Sequence, residues 1–184
     1  MALNIKIDLD DSYTRRSLYQ DSLLTTFDTT LKNGDVVPIA VKISDVSHPL
    51  LPNVYNLGFG PLGPDNRIDD KIKLYHQNYS RLFSTIILSG ISFLKNNPDK
   101  LLGIDGSNNA RAYLYYRCIL NNNDYLRQYL NIYGVNYYIR MLRKFKEGDL
   151  PFDVEDILAT PNVVSKGTQI RPEKLYNYFI FNLV

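Results

Sequence analysis

The dipeptide Asn33-Gly34 stands between two runs, Leu23–Lys32 and Asp35–Ser44, that read as strands. Asn-Gly supplies the positive φ angles of a two-residue hairpin turn, so the flanking runs are predicted to pair antiparallel. A chain that must reverse here starts its sheet as a hairpin, which excludes an all-helical fold. Pro38 cannot donate to a ladder, so the second arm is expected at an edge or bulge there. Asn53–Gly60, NVYNLGFG, reads as the next strand. Ahead of the hairpin, Leu3, Ile5, Ile7 and Leu9 alternate with Asn4, Lys6, Asp8 and Asp10, and a period of two predicts a half-buried strand. Together these runs make a meander of three or four antiparallel strands.

Helical periodicity takes over after the Pro- and Gly-punctuated loop Pro61–Asn66. From about Gln77 to Lys95, Leu82, Ile86, Ser89 or Gly90, and Phe93 fall on one stripe that Phe83, Ile87 and Leu94 widen. Asn96-Asn97-Pro98-Asp99 stops this helix by turn chemistry. Leu101–Asp105 reads as a strand, Asn109–Asn121 as a second helix resuming through Leu126, and Tyr129–Gly134 as another strand. A third, basic helix is predicted at Tyr137–Lys146, with Tyr138, Met141, Leu142 and Phe145 on its inner face. Residues 148–174, rich in turn formers, read as a long loop or arm before a C-terminal strand at Leu175–Val184. That strand is almost wholly apolar and is expected inside the sheet. The chain of 184 residues is predicted to form a single α+β domain, a mainly antiparallel sheet packed against two or three helices.

Several function classes find no support. Cys118 is the one cysteine, which excludes an intramolecular disulfide and a multi-cysteine zinc site. A net charge of +2 is too small a field to argue nucleic acid from bulk charge. The start MALNIKIDLDDSYTRR lacks the pattern of a signal peptide, and no run approaches the roughly 20 apolar residues of a membrane span, so a cytoplasmic location is expected. No Walker loop, dinucleotide fingerprint, zinc motif or nucleophile elbow is present, and no metal or cofactor is predicted. His48 and His76 have no nucleophile or carboxylate at a diagnostic spacing. Asp69-Asp70 and Asp8-Asp10-Asp11 are acidic groups that could collect a divalent ion, and capping of the following helix accounts for Asp69 and Asp70 at least as well.

The segment LLGIDGSNNARAYLYYR, Leu101–Arg117, carries the candidate site. A strand delivering Gly106, Ser107, Asn108 and Asn109 to a helix start directs unpaired amides at an anion, and Arg111 one turn in adds a guanidinium. Plain capping by Ser107 or Asn108, with Arg111 paired to Asp69 or Asp70, is the competing reading. Arg111 and Tyr115, four residues apart, share a helix face. Tyr113, Tyr116 and Arg117 suit either stacked bases or packing on a sheet. Arg140, Arg143, Lys144 and Lys146 form the cluster that could meet RNA or DNA phosphates, unless it is a solvated helix face.

Leu57-Gly58-Phe59-Gly60, then Ile68-Asp69-Asp70, then Gly106 through Tyr115 resemble, in this order, a bacterial family of unknown function, DUF6934, common in Bacteroidetes. The chain departs from the family pattern at Pro61, Asn108 and Tyr113, which stand where Asp, Thr and a second Arg are usual. The resemblance implies the order of elements and carries no activity; its gene contexts suggest mobile or defence-linked systems. Fifteen tyrosines against no tryptophan suit a recognition surface. The leading expectation is a non-enzymatic binding protein with a protein partner or a second copy of itself, as in a toxin–antitoxin or phage-defence pair. Its surface would centre on Ser107, Asn108, Arg111 and Tyr115, with Gly60 and Asp69-Asp70 nearby. An enzyme acting on RNA or a nucleotide through the helix-start phosphate site is the alternative, with Tyr115 or His76 moving a proton. A non-catalytic nucleic-acid binder using Arg140–Lys146 is the third.

Overall fold

The computed structural model describes residues 4–17, 23–63, 67–69, 72–106, 108–141, 152–165 and 176–184. The described elements are β1 (Arg16–Ser17), β2 (Leu24–Thr30), β3 (Val36–His48), β4 (Leu51–Gly60), α1 (Tyr79–Asn96), β5 (Leu101–Asp105), α2 (Asn109–Asn121), α3 (Asn123–Leu126), β6 (Leu130–Met141), β7 (Phe152–Val163) and β8 (Tyr178–Leu183). Among the described residues the strands make one 8-stranded sheet in the order β1-β2-β3-β4-β5-β8-β6-β7. Every neighbouring pair is antiparallel except β4 and β5, which α1 links as a crossover. The fold is a single α+β domain.

Alternation along the strands sorts the side chains onto two faces. Phe27, Ile39, Val41, Leu57, Leu102, Ile132 and Phe179 meet Leu82, Ile86 and Phe93 of α1 and Tyr115, Tyr116 and Ile119 of α2 in the main core. Leu51, Val54, Val135, Tyr178 and Ile180 form a smaller cluster on the opposite face. The C-terminal strand β8, buried on both faces, lies between β5 and β6 as its apolar run predicts. Its Tyr178 ring lies over Gly103, where a Cβ would overlap the ring and force it to shift, which favours glycine at the centre of β5.

The hairpin forms, with its turn displaced by one residue. Leu31 accepts from the Gly34 amide at 2.9 Å and donates to Asp35 O at 2.8 Å, so Lys32 and Asn33 are the central residues. Only Gly34 takes positive φ, +92°, as the bulge residue of a longer hairpin loop. Asn33 bonds Asp35 through its side chain instead. Pro38 pairs with Asp28 on β2, while the β3–β4 ladder begins only at Ala40, so β3 is an edge at the proline.

The N-terminal segment departs from expectation more instructively. Ile5 and Ile7 are 2% and 3% exposed, as the alternation predicts, yet residues 4–9 form no strand. They lie extended between helices, and side chains replace the ladder: Ser80 Oγ accepts from Lys6 N, Ser84 Oγ from Asp8 N, and Tyr125 OH from Leu9 N. Buried Asn122 accepts from Ile7 N at 2.7 Å and donates to Ile5 O at 2.8 Å, mimicking one residue of a neighbouring strand.

Two further expectations are corrected. Tyr137–Met141 belong to β6 rather than to a basic helix, because β6 continues past Gly134 in register with β7, Tyr137 opposite Ala159 and Arg140 opposite Asp153. Arg143, Lys144 and Lys146 lie outside the described residues. The span 148–174 is not simply an arm: Phe152–Val163 are β7, at the sheet's edge, where Pro161 is tolerated.

Candidate ligand-binding cleft

β4 and β5 run parallel, so both carboxyl ends point the same way, and α2 starts just beyond β5. The β4–β5 ladder ends at Asn56↔Gly103, although β4 runs on to Gly60 beside β3 and β5 to Asp105 beside β8. The strands part, and the opening is a cleft of about 230 Å³ lined by Asn56, Gly58, Ile68, Asp105, Arg111 and Tyr115 among others. A second cleft of about 350 Å³ shares Phe59, Arg111 and Tyr115 with the first and adds Gly60, Asp69, Lys73 and His76. Crevices at the carboxyl ends of parallel strands are where open sheets with helical crossovers hold ligands.

The helix start itself is a cap. Asn108 Oδ1 accepts from Arg111 N at 3.0 Å, as Asn78 Oδ1 accepts from Arg81 N at 2.9 Å at the start of α1. The Gly106 amide donates to Asn177 O at 2.7 Å and the Asn108 amide to Gly106 O, so neither joins the expected amide cradle. Gly106 is buried against α2, where a Cβ would come within 2.6 Å of Ala112 Cα; close packing explains that glycine. Asn109 is exposed, and Ser107 lies outside the described residues. The Arg111 side chain lines both clefts.

Arg111 and Tyr115 do share one face, and both open onto the two clefts. Tyr115 is buried in an aromatic trio, its ring centroid 6.3 Å from both Phe59 and Phe83, which are 5.8 Å apart. Burial pushes its hydroxyl up to about 12; Arg111 opposes the rise and Asp105 adds to it. The phenol is therefore a hydrogen-bonding group at neutral pH. His76 is buried edge-on to Tyr79, Nδ1 3.3 Å from Thr29 Oγ1, and burial pulls its pKa below 6.5. Exposed Ile72 and Tyr75 stand on the rim beside Lys73.

Gly60, Asp69, Arg111 and Tyr115 all line the larger cleft, Asn108 lines neither, and Asp70 lies outside the described residues. Tyr113, Tyr116 and Arg117 do not share a surface, because Tyr113 is exposed while Tyr116 is buried against Tyr176. His76, a candidate proton carrier in the enzyme alternative, lines the larger cleft, while Asn56, Lys73 and Asp105 join the clefts without a sequence signal that ties them to Arg111. Among the described residues, no three His, Cys, Asp or Glu side chains converge on a metal position. No described helix is long and apolar enough to cross a membrane.

Fold and clefts define an α+β protein with a polar-rimmed, aromatic-floored recess at the carboxyl ends of two parallel strands. The chain belongs to DUF6934, a family of unknown function whose model matches residues 10–160. No curated protein and no solved structure matches it.

Proposed function

We propose that this chain is a non-catalytic binding protein whose recognition site is the paired cleft around Arg111 and Tyr115. The carrying observation is that Arg111, Lys73 and Asp69 line, with Phe59, Phe83 and Tyr115, one recess of about 350 Å³. Such a site takes a ligand with an anionic group beside an apolar or aromatic body. Binding is favoured over turnover on an RNA or nucleotide, because Tyr115 keeps its proton up to about 12 and His76 is buried against Thr29. A protein partner, as in a toxin–antitoxin or phage-defence pair in the cytoplasm, would present the same chemistry through an acidic-apolar segment.

The test is a thermal-shift panel of inorganic phosphate, mononucleotides, short RNAs and acidic peptides against wild type and Arg111→Ala. A ligand at 100 times its Kd adds about 2.7 kcal/mol, which for a domain of this size raises Tm by about 5–10 °C. The account expects such a shift in wild type and its loss in Arg111→Ala, with the unliganded melting temperatures alike. Equal shifts in both proteins overturn it.

A further inference from the structure

We propose that this protein holds a small uncharged apolar molecule, of the size of a short alkane, in a separate pocket between α1, α2 and the paired strands β4 and β5. The pocket has a volume of about 70 Å³ and adjoins the larger cleft through Phe83 and Tyr115, which line both. No charged side chain among the described residues lines this space, so its occupancy does not depend on the ligand of the paired cleft.

Helical spacing builds the walls. Ile86, Gly90 and Leu94 stand four residues apart on one stripe of α1, and Tyr115, Cys118 and Ile119 share the facing stripe of α2. Gly90 sits against the sheet, where a Cβ would stand 3.0 Å from Leu102 Cδ1, and it adds no side chain to fill the space. Protein interiors hold few voids larger than a water, and an empty one forfeits contacts of its lining and costs stability in proportion to its volume. Water is a poor occupant here. A buried water needs about two to four polar partners, and among the described lining side chains only Tyr115 and Cys118 carry a polar atom. Burial pushes the pKa of both up to about 12, so both are neutral at pH 7. The backbone of Gly103 is engaged in ladders with β4 on one side and β8 on the other. An apolar guest restores the missing contacts and gives up no hydrogen bond. At about 70 Å³ the pocket has half the volume of a dry core cavity of about 150 Å³ that takes benzene or xenon, which limits the guest to a few heavy atoms. Ile87, Ile104 and Phe181, the half-buried members of the lining, give the way in from solvent.

Methyl NMR of the full chain, labelled at isoleucine and leucine and titrated with dissolved xenon and then propane, tests the assignment. The expected result is saturable xenon shifts on the methyls of Ile86, Ile91, Leu102 and Ile119, with Ile5 and Ile43, buried elsewhere in the core, unmoved. Propane should move the same set and weaken the xenon response. Cys118→Leu adds volume at the wall and should lose the shifts while its melting curve shows a folded protein. If that variant does not fold, Ile87→Phe at the half-buried side serves in its place, and the wild-type titration decides by itself. Xenon shifts that fail to saturate, that spread equally to Ile5 and Ile43, or that persist undiminished in a folded filling variant overturn the proposal.

Discussion

Replacing Asn122 by alanine should cost this protein far more than the loss of one polar side chain suggests. The Asn122 amide makes three buried hydrogen bonds: from Ile7 N at 2.7 Å, to Ile5 O at 2.8 Å and to Cys118 O at 2.8 Å. The Cys118 carbonyl lies within α2, but Ile7 N and Ile5 O lose the partner that stands in for a neighbouring strand. A buried donor or acceptor left unmade costs about 1–3 kcal/mol, so the pair sums to about 2–6 kcal/mol. Peeling residues 4–9 away would hydrate them but expose Ile5 and Ile7, at about 1.5–3 kcal/mol each, so that escape costs no less. We expect Asn122→Ala to lose about 3 kcal/mol in urea unfolding and about 6–12 °C in Tm. Ser80→Ala, which removes the solvent-exposed bond to Lys6 N, should cost under about 1 kcal/mol. A loss below 1 kcal/mol for Asn122→Ala, or equal losses for both variants, would refute the strand-mimic reasoning.

Other outcomes follow from the same geometry. Gly103→Ala drives a Cβ into the Tyr178 ring and should lose about 1–3 kcal/mol in denaturant unfolding, with part regained when Tyr178→Ala is added. Cys118, buried with its thiol pushed up to about 12, should react with a disulfide reagent at pH 8 about 10³-fold or more slowly than the urea-unfolded chain; fast labelling of the native protein contradicts its placement. His76 has its pKa held below 6.5 by burial, so the unfolded chain takes up that proton first as pH falls. Its contribution to stability is therefore full above pH 6.5 and declines as pH falls toward the folded value, and His76→Gln should flatten that part of the urea-midpoint profile. An unchanged profile in the variant counts against a buried, neutral His76.

The sequence made local pairing and helix ends legible because these depend on neighbours. β5 at Leu101–Asp105 and α2 at Asn109–Asn121 lie where the apolar run and the capping residues place them. Partners at a distance were less legible. Period-two alternation over residues 3–9 reports which side chains are buried and is silent on what satisfies the backbone; helix side chains did so, and no ladder formed. Over Tyr137–Met141 an apolar spacing that fits a helix also fits a strand continuing from Leu130, and only pairing with β7 decides between them. β7 itself carries Pro161 and three acidic residues, the features of a protected edge, which in sequence look like a loop. Within the cleft, the Arg111–Tyr115 pair follows from helical spacing. Asn56 and Asp105 meet Arg111 only because two strands part after three paired positions, and nothing local signals that parting.

The most direct test of the account is a two-dimensional amide NMR titration of the labelled protein with inorganic phosphate and, separately, an acidic peptide. The account predicts saturable shifts with at least one of them, clustered on Gly58, Gly60, Asp69, Lys73, Asp105, Arg111 and Tyr115. Shifts centred elsewhere on the sheet, or none with either ligand, would contradict the claim that the parted ends of β4 and β5 form a binding site.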